Sequence, residues 1–69
     1  MYKPIKLRQY LKWIRQYGWT LEKGKIDWLL RDEQGIFLCT IIIQHPGPKE
    51  VIARSVKKTE QHLKARGLI

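Results

Sequence analysis

The chain has 69 residues, with 14 Lys and Arg against 6 Asp and Glu and a formal charge of +8. At that length roughly 60% of the unfolded surface leaves water on folding, enough for one domain (1–69) with one modest core and not for two. The single Cys39 excludes an internal disulfide, no run reaches the roughly 18 apolar residues of a membrane span, and "MYKPIKLRQ" lacks the apolar centre of a signal peptide, so a soluble cytoplasmic protein is expected.

Pro4 suits the first turn of a helix, and "KLRQYLKWIRQYG" places Leu7, Tyr10, Leu11, Ile14 and Tyr17 on one helical stripe. Gly18 supplies its C-terminal cap. "WTLEK" and "IDWLLR" then read as a hairpin reversing around Gly24, and "RDEQG" as a second polar turn. The strand signal is strongest in "IFLCTIIIQ", which is rich in β-branched and aromatic residues. In "HPGPKE", Pro46 blocks helix before it, Gly47 fits an N-cap, Pro48 a first helical position and Glu50 the first turn. Ile52, Val56, Thr59 and Leu63 form the seam of this second helix, and Gly67 ends it. The expected fold is α+β in the order α-β-β-β-α, a three-stranded antiparallel meander with both helices on one face.

In the third strand both alternating sets are apolar: Ile36, Leu38, Thr40 and Ile42 on one side, Phe37, Cys39, Ile41 and Ile43 on the other. Two layers cover only one sheet face. Either the open face docks a second copy or a partner protein, or sheet twist and neighbouring Trp and Lys side chains hide it.

Charge is unevenly spread. Residues 1–17 carry five bases and no acid and residues 51–69 five bases and one acid, while residues 18–50 hold four bases and five acids. So dense a positive surface favours a polyanion, most often nucleic acid, over a membrane; the alternative is lysine kept for solubility. On the first helix Arg8, Lys12 and Arg15 stand at i, i+4, i+7, away from the apolar stripe. On the second, Arg54 and Lys58 share one row and Lys57 and Lys64 another with Glu60, while Lys23 and Lys25 flank the hairpin turn. Asp27, set in that turn, is expected to pair with Lys25 or Arg31. This layout resembles double-stranded-RNA-binding domains, in which the first helix, a loop between strands and the start of the last helix grip minor grooves and phosphates by shape. Trp13 either stacks on a base or closes the edge of the core. One Cys and two separated His give no metal-ligand spacing, and no phosphate loop or nucleophile with an adjacent base is present, so neither a metal nor a cofactor is expected.

A helix closing in Gly-Trp ("KLRQYLKWIRQYGW"), a basic turn at Gly24, a strand pair, and "QHP" leading into a helix that ends "KARGL" together resemble the HicA-type toxins over nearly the whole chain. The resemblance implies a double-stranded-RNA-binding-like fold, messenger RNA as target and a HicB-type antitoxin as partner. Such toxins typically carry a catalytic histidine after Gly-Ser in the first hairpin turn; this turn reads Gly24, Lys25, Ile26, Asp27. Imidazole, with pKa near 6.5, suits removal of a 2′-hydroxyl proton, whereas a solvated carboxyl near 3.9 does not. The expectation is therefore RNA binding through Arg8, Lys12, Arg15, Lys23, Lys25, Arg54, Lys57 and Lys58 with weak or no cleavage. The alternatives are an active interferase using His45, which matches the family's His-Pro, with Asp27, and an interaction module or homodimer using the open sheet face.

Overall fold

A computed structural model of the chain describes residues 3–44 and 49–69. In chain order it contains β1 (Ile5–Lys6), α1 (Leu7–Arg15), β2 (Thr20–Lys23), β3 (Trp28–Arg31), β4 (Phe37–Ile41), β5 (Ile43–Gln44), β6 (Glu50–Val51) and α2 (Ala53–Ala65). The fold is α+β, with two helices and two three-stranded antiparallel sheets, ordered β2-β3-β4 and β1-β6-β5. Neither helix is long and apolar enough to cross a membrane.

The meander β2-β3-β4 is the sheet expected from the sequence; the second sheet is not. Ile5 and Lys6 pair with Val51 and Glu50, and the Leu7 amide donates to the Lys49 carbonyl at 3.0 Å, so α1 begins at Leu7 rather than around Pro4. The same pairing takes Glu50 out of the first turn of α2, which starts at Ala53 after an extended Ile52. Ile52 is thus an N-cap and not a seam residue; Gly47 and Pro48 lie outside the described residues. Two-residue strands carry no periodic signal, and what selects them here is satisfaction of backbone donors and acceptors between the two helix entries.

Both helices end in the same way. The Trp19 and Gly18 amides donate to the Ile14 and Arg15 carbonyls, and the Leu68 and Gly67 amides to those of Leu63 and Lys64, at 2.9 to 3.1 Å. This is the Schellman arrangement, which needs a left-handed residue, and Gly18 (φ 77°) and Gly67 (φ 71°) provide it. The first of these reversals swings Trp19 into the core, where it is fully buried.

The β2–β3 connection is a four-residue loop, wider than the tight reversal expected, with Lys23 opposite Trp28 and the Gly24 amide on the Asp27 carbonyl at 3.0 Å. A Cβ on Gly24 would stand 2.4 Å from that carbonyl oxygen, so close approach, not a positive φ, requires glycine there. The β3–β4 turn is organised by Asp32, whose Oδ1 accepts from the amides of Gln34 (2.8 Å) and Ile36 (2.9 Å), with Gly35 at φ 79°.

The apolar run expected as one strand is divided at Ile42. Residues 37–41 pair with β3; Ile43 and Gln44 pair with β6. Between them the Ile42 amide donates to Ser55 Oγ at 3.0 Å and its carbonyl accepts from the Ile52 amide at 3.2 Å, which anchors the start of α2 to the break.

One core joins all the layers: Tyr10 and Ile14 of α1, Trp19, Leu30, Ile41, Ile43, Val51, and Val56 and Leu63 of α2. Both helices pack into the face of the meander that Leu30 and Ile41 line. At their contact Thr59 Oγ1 donates to the Ser55 carbonyl at 2.9 Å, which uses its only proton, so the Tyr10 hydroxyl donates to Thr59 Oγ1 at 2.7 Å. Burial pushes the Tyr10 hydroxyl well above the ordinary tyrosine range, the Thr59 bond acting against it. Trp13 is half-buried and meets Tyr10 edge-on at 5.9 Å, closing the edge of the core. Of the open-face set, Ile36 and Ile42 remain exposed (54 and 38%) while Leu38 packs against the core, and a register shift at Leu30/Arg31 brings Phe37 (49% exposed), expected on the covered side, out beside them.

Candidate functional site

Chain reversals sort the molecule into two ends. At one lie the start of α1, bonded to Lys49, the start of α2, bonded to Ile42, and the β2–β3 loop, whose neighbour Trp28 pairs with Ile41. At the other lie both glycine-terminated helix ends and the Asp32 turn. A helix of 13 residues separates them by about 20 Å.

The far end is electrically compensated. Arg66 Nη1 stands 2.9 Å from Asp32 Oδ2 and 3.7 Å from Glu33 Oε1, its guanidinium 5.6 Å over the Trp19 ring, and Trp19 Nε1 donates to Glu33 Oε2 at 2.9 Å. Asp32 is 2% exposed. Burial alone would raise its carboxyl, but the Ile36 and Gln34 amides and Arg66 together outweigh it and hold the group below the ordinary aspartate value. Arg66, expected to supply the basic field, is thus a structural tie between the end of α2 and the turn before β4. Arg31 donates to Glu22 at 2.9 Å, not to Asp27, and Lys64 pairs with Glu60 at 3.1 Å.

At the near end, which also holds Asp27 and Glu50, and on the outer helix faces, the bases other than Lys64 make no ion pair among the described residues. Among the described residues only Arg31, Lys64 and Arg66 contact a carboxylate, which leaves 11 of the 14 bases without one. All eleven are exposed. Arg8, Lys12 and Arg15 stand on α1 opposite the buried Tyr10 and Ile14; Arg54, Lys57 and Lys58 stand on α2 opposite the buried Ser55, Val56, Thr59 and Leu63. Since the two helices share one layer over one sheet face, both rows point away from the sheet. Lys23 and Lys25 sit at the hairpin tip, beside Ile26, which is 94% exposed.

An open groove of about 490 Å³ lies at the start of α1, lined by Lys6, Leu7, Arg8, Gln9 and Lys49. No acidic residue lies in the first turn of either helix, and neither N-cap makes a side-chain hydrogen bond, so no capping side chain or first-turn carboxylate offsets the positive ends of the helix dipoles.

No protein family, curated protein or solved structure matches the chain.

The eight bases singled out from the sequence therefore fall on three elements, all exposed, with Lys6 and Lys49 beside them. Lys49 escaped notice because its segment reads as a helix start; its position depends on the β1–β6 pairing. Asp27 is half-buried in the hairpin loop, and among the described residues its side chain has neither an ion pair nor a hydrogen bond. His45 lies outside the described residues. Cys39 is half-buried, and burial raises its thiol, with Lys58 opposing; a thiol kept protonated is a poor nucleophile. Among the described residues no cluster of three His, Cys, Asp or Glu is placed to hold a metal.

Proposed function

We propose that this protein is a small RNA-binding domain of HicA-like character, gripping a structured or double-stranded RNA through phosphates and 2′-hydroxyls with little or no cleavage. The observation that carries the reading is the exposed set of 11 bases without a carboxylate contact, eight of them on the outer faces of α1 and α2 and at the hairpin tip, while the opposite end spends its acids on Arg31 and Arg66. Solubility alone does not call for that segregation, since interspersed charge serves it as well. A polyanion tracking the helix layer meets three cationic elements without displacing any internal ion pair. The Gly24-Lys25-Ile26-Asp27 loop presents ammonium groups and one carboxylate, a composition that holds phosphate better than it moves protons.

The test is the salt dependence of binding to an RNA duplex. The logarithm of the affinity should fall linearly with the logarithm of salt concentration, by about 0.9 per phosphate neutralised, with a total slope of several. Lys25→Ala and Lys58→Ala should each lower that slope by about one. Arg66→Ala should change thermal stability and leave the slope alone. Affinity indifferent to salt, or a slope that Lys25→Ala and Lys58→Ala leave untouched, refutes the assignment. RNA recovered intact after prolonged incubation with excess protein is the expected companion result.

A further inference from the structure

The sheet β2-β3-β4 has two edges, and they differ in kind. The β2 edge, Thr20–Lys23, ends in Glu22 and Lys23, charges of the sort that keep an edge from recruiting another strand. The β4 edge, Phe37–Ile41, reads FLCTI, with no charge and no proline. In that sheet β4 has β3 as its one neighbour, and among the described residues its backbone makes no hydrogen bond except to β3. Ile36, Phe37 and Ile42, at the two ends of this strand, are the exposed apolar side chains nearest the edge.

We infer that β4 pairs antiparallel with β4 of a second copy, extending the meander into a six-stranded sheet across a two-fold axis. The charge distribution selects both the occupant and the direction. β4 runs from the Asp32–Glu33 turn toward the basic end, and α2 packs against it with Arg54, Lys57 and Lys58 on its outer face. Antiparallel pairing therefore brings Glu33 of each copy, half exposed in its turn, toward the uncompensated start of α2 in the other, twice by symmetry. Parallel pairing would set the two basic ends side by side. The bases of α1, which packs against β2, lie away from the β4 edge and stay open on pairing, whereas those at the start of α2 come to face Glu33 of the second copy; the inference does not depend on the RNA-binding reading. Five strand residues and three apolar side chains make an interface below the roughly 800 Å² per partner of stable complexes, which sets the expected dissociation constant at about 10 μM to 1 mM.

Sedimentation of the whole chain over a concentration series up to about 1 mM, at about 0.15 M salt where the Debye length is about 8 Å, should show the mass rising from one copy toward two. Phe37→Lys combined with Thr40→Lys, both at exposed positions, should hold the chain monomeric with its thermal transition kept, whereas Thr20→Lys on the other edge should dimerise as the wild type does. Gln34→Glu, in the acidic turn, should tighten association several-fold and Gln34→Lys weaken it by as much. A wild-type chain that stays monomeric throughout overturns the inference and leaves the edge to a strand of a different protein. A double-lysine variant that dimerises as tightly as the wild type overturns the choice of edge, and Gln34 variants without effect or of reversed sign overturn the antiparallel direction.

Discussion

Thr59→Val strips the Tyr10 hydroxyl of its acceptor while leaving the side chain the same shape. Both groups are fully buried at the contact of the two helices, so the hydroxyl cannot turn to water. A buried donor left unpaired costs about 1–3 kcal/mol, whereas losing one of a pair whose remaining member keeps another bond costs about 1 kcal/mol. Tyr10→Phe is the milder case, because Thr59 still donates to the Ser55 carbonyl. Removing both hydroxyls leaves two apolar groups of native shape, so the double variant should lose no more than Thr59→Val alone. The cycle then gives a coupling of about 1–2 kcal/mol, on a total stability of about 3–10 kcal/mol for a chain of this length. Urea unfolding of the four proteins reads it directly, at about 1 kcal/mol per molar of urea for so small a domain. Strictly additive losses would refute the buried bond and, with it, the alignment of the two helices. The raised Tyr10 hydroxyl gives an independent check. A folded value above the unfolded one means that the contribution is complete below about pH 10 and is lost as pH climbs beyond, so Tyr10→Phe should flatten the alkaline limb of the stability curve.

Gly24→Ala should destabilise by about 1–3 kcal/mol, since its methyl meets the Asp27 carbonyl at 2.4 Å, whereas Gly35→Ala meets nothing and bears only the left-handed backbone cost of about 1–2 kcal/mol; thermal melts of both, with amide exchange across β2 and β3, locate the damage. The depressed Asp32 carboxyl contributes stability above the ordinary aspartate value near 3.9 and loses it as pH falls through its folded value. Asp32→Asn should therefore be less stable at neutral pH and show a shallower acid limb in a melting series from neutral pH downward, and an unchanged limb would refute the depressed carboxyl.

Most of the secondary structure was legible because its cause is periodic and local. Tyr10, Ile14, Val56, Thr59 and Leu63 are buried where a 3.6-residue repeat puts them, and Gly18 and Gly67 end their helices for a reason any sequence states, the need for a left-handed residue. The departures have non-local causes. Whether Pro4 and Glu50 start helices depends on Ile5 meeting Val51, a pairing across 46 positions that two-residue strands cannot advertise. Arg66 reads as a free cation until the end of α2 is seen to fall on Asp32. The bases of the candidate site were identifiable singly from charge and row spacing; the part of Lys49 beside the start of α1 required the order in which the strands pair.

The break at Ile42 bears on how the chain finds its alignment. One residue, Ile42, held by Ser55 on its amide and by Ile52 on its carbonyl, joins a segment zipped to β3 and a segment zipped to β6. A slip of one position along β3 would invert Cys39 and Ile41 toward water and, through that shared unit, would also tear Ile43 from Val51 and unseat the start of α2. Two independent clasps thus police a single ribbon, and a frame that satisfies only one of them is rejected by the other.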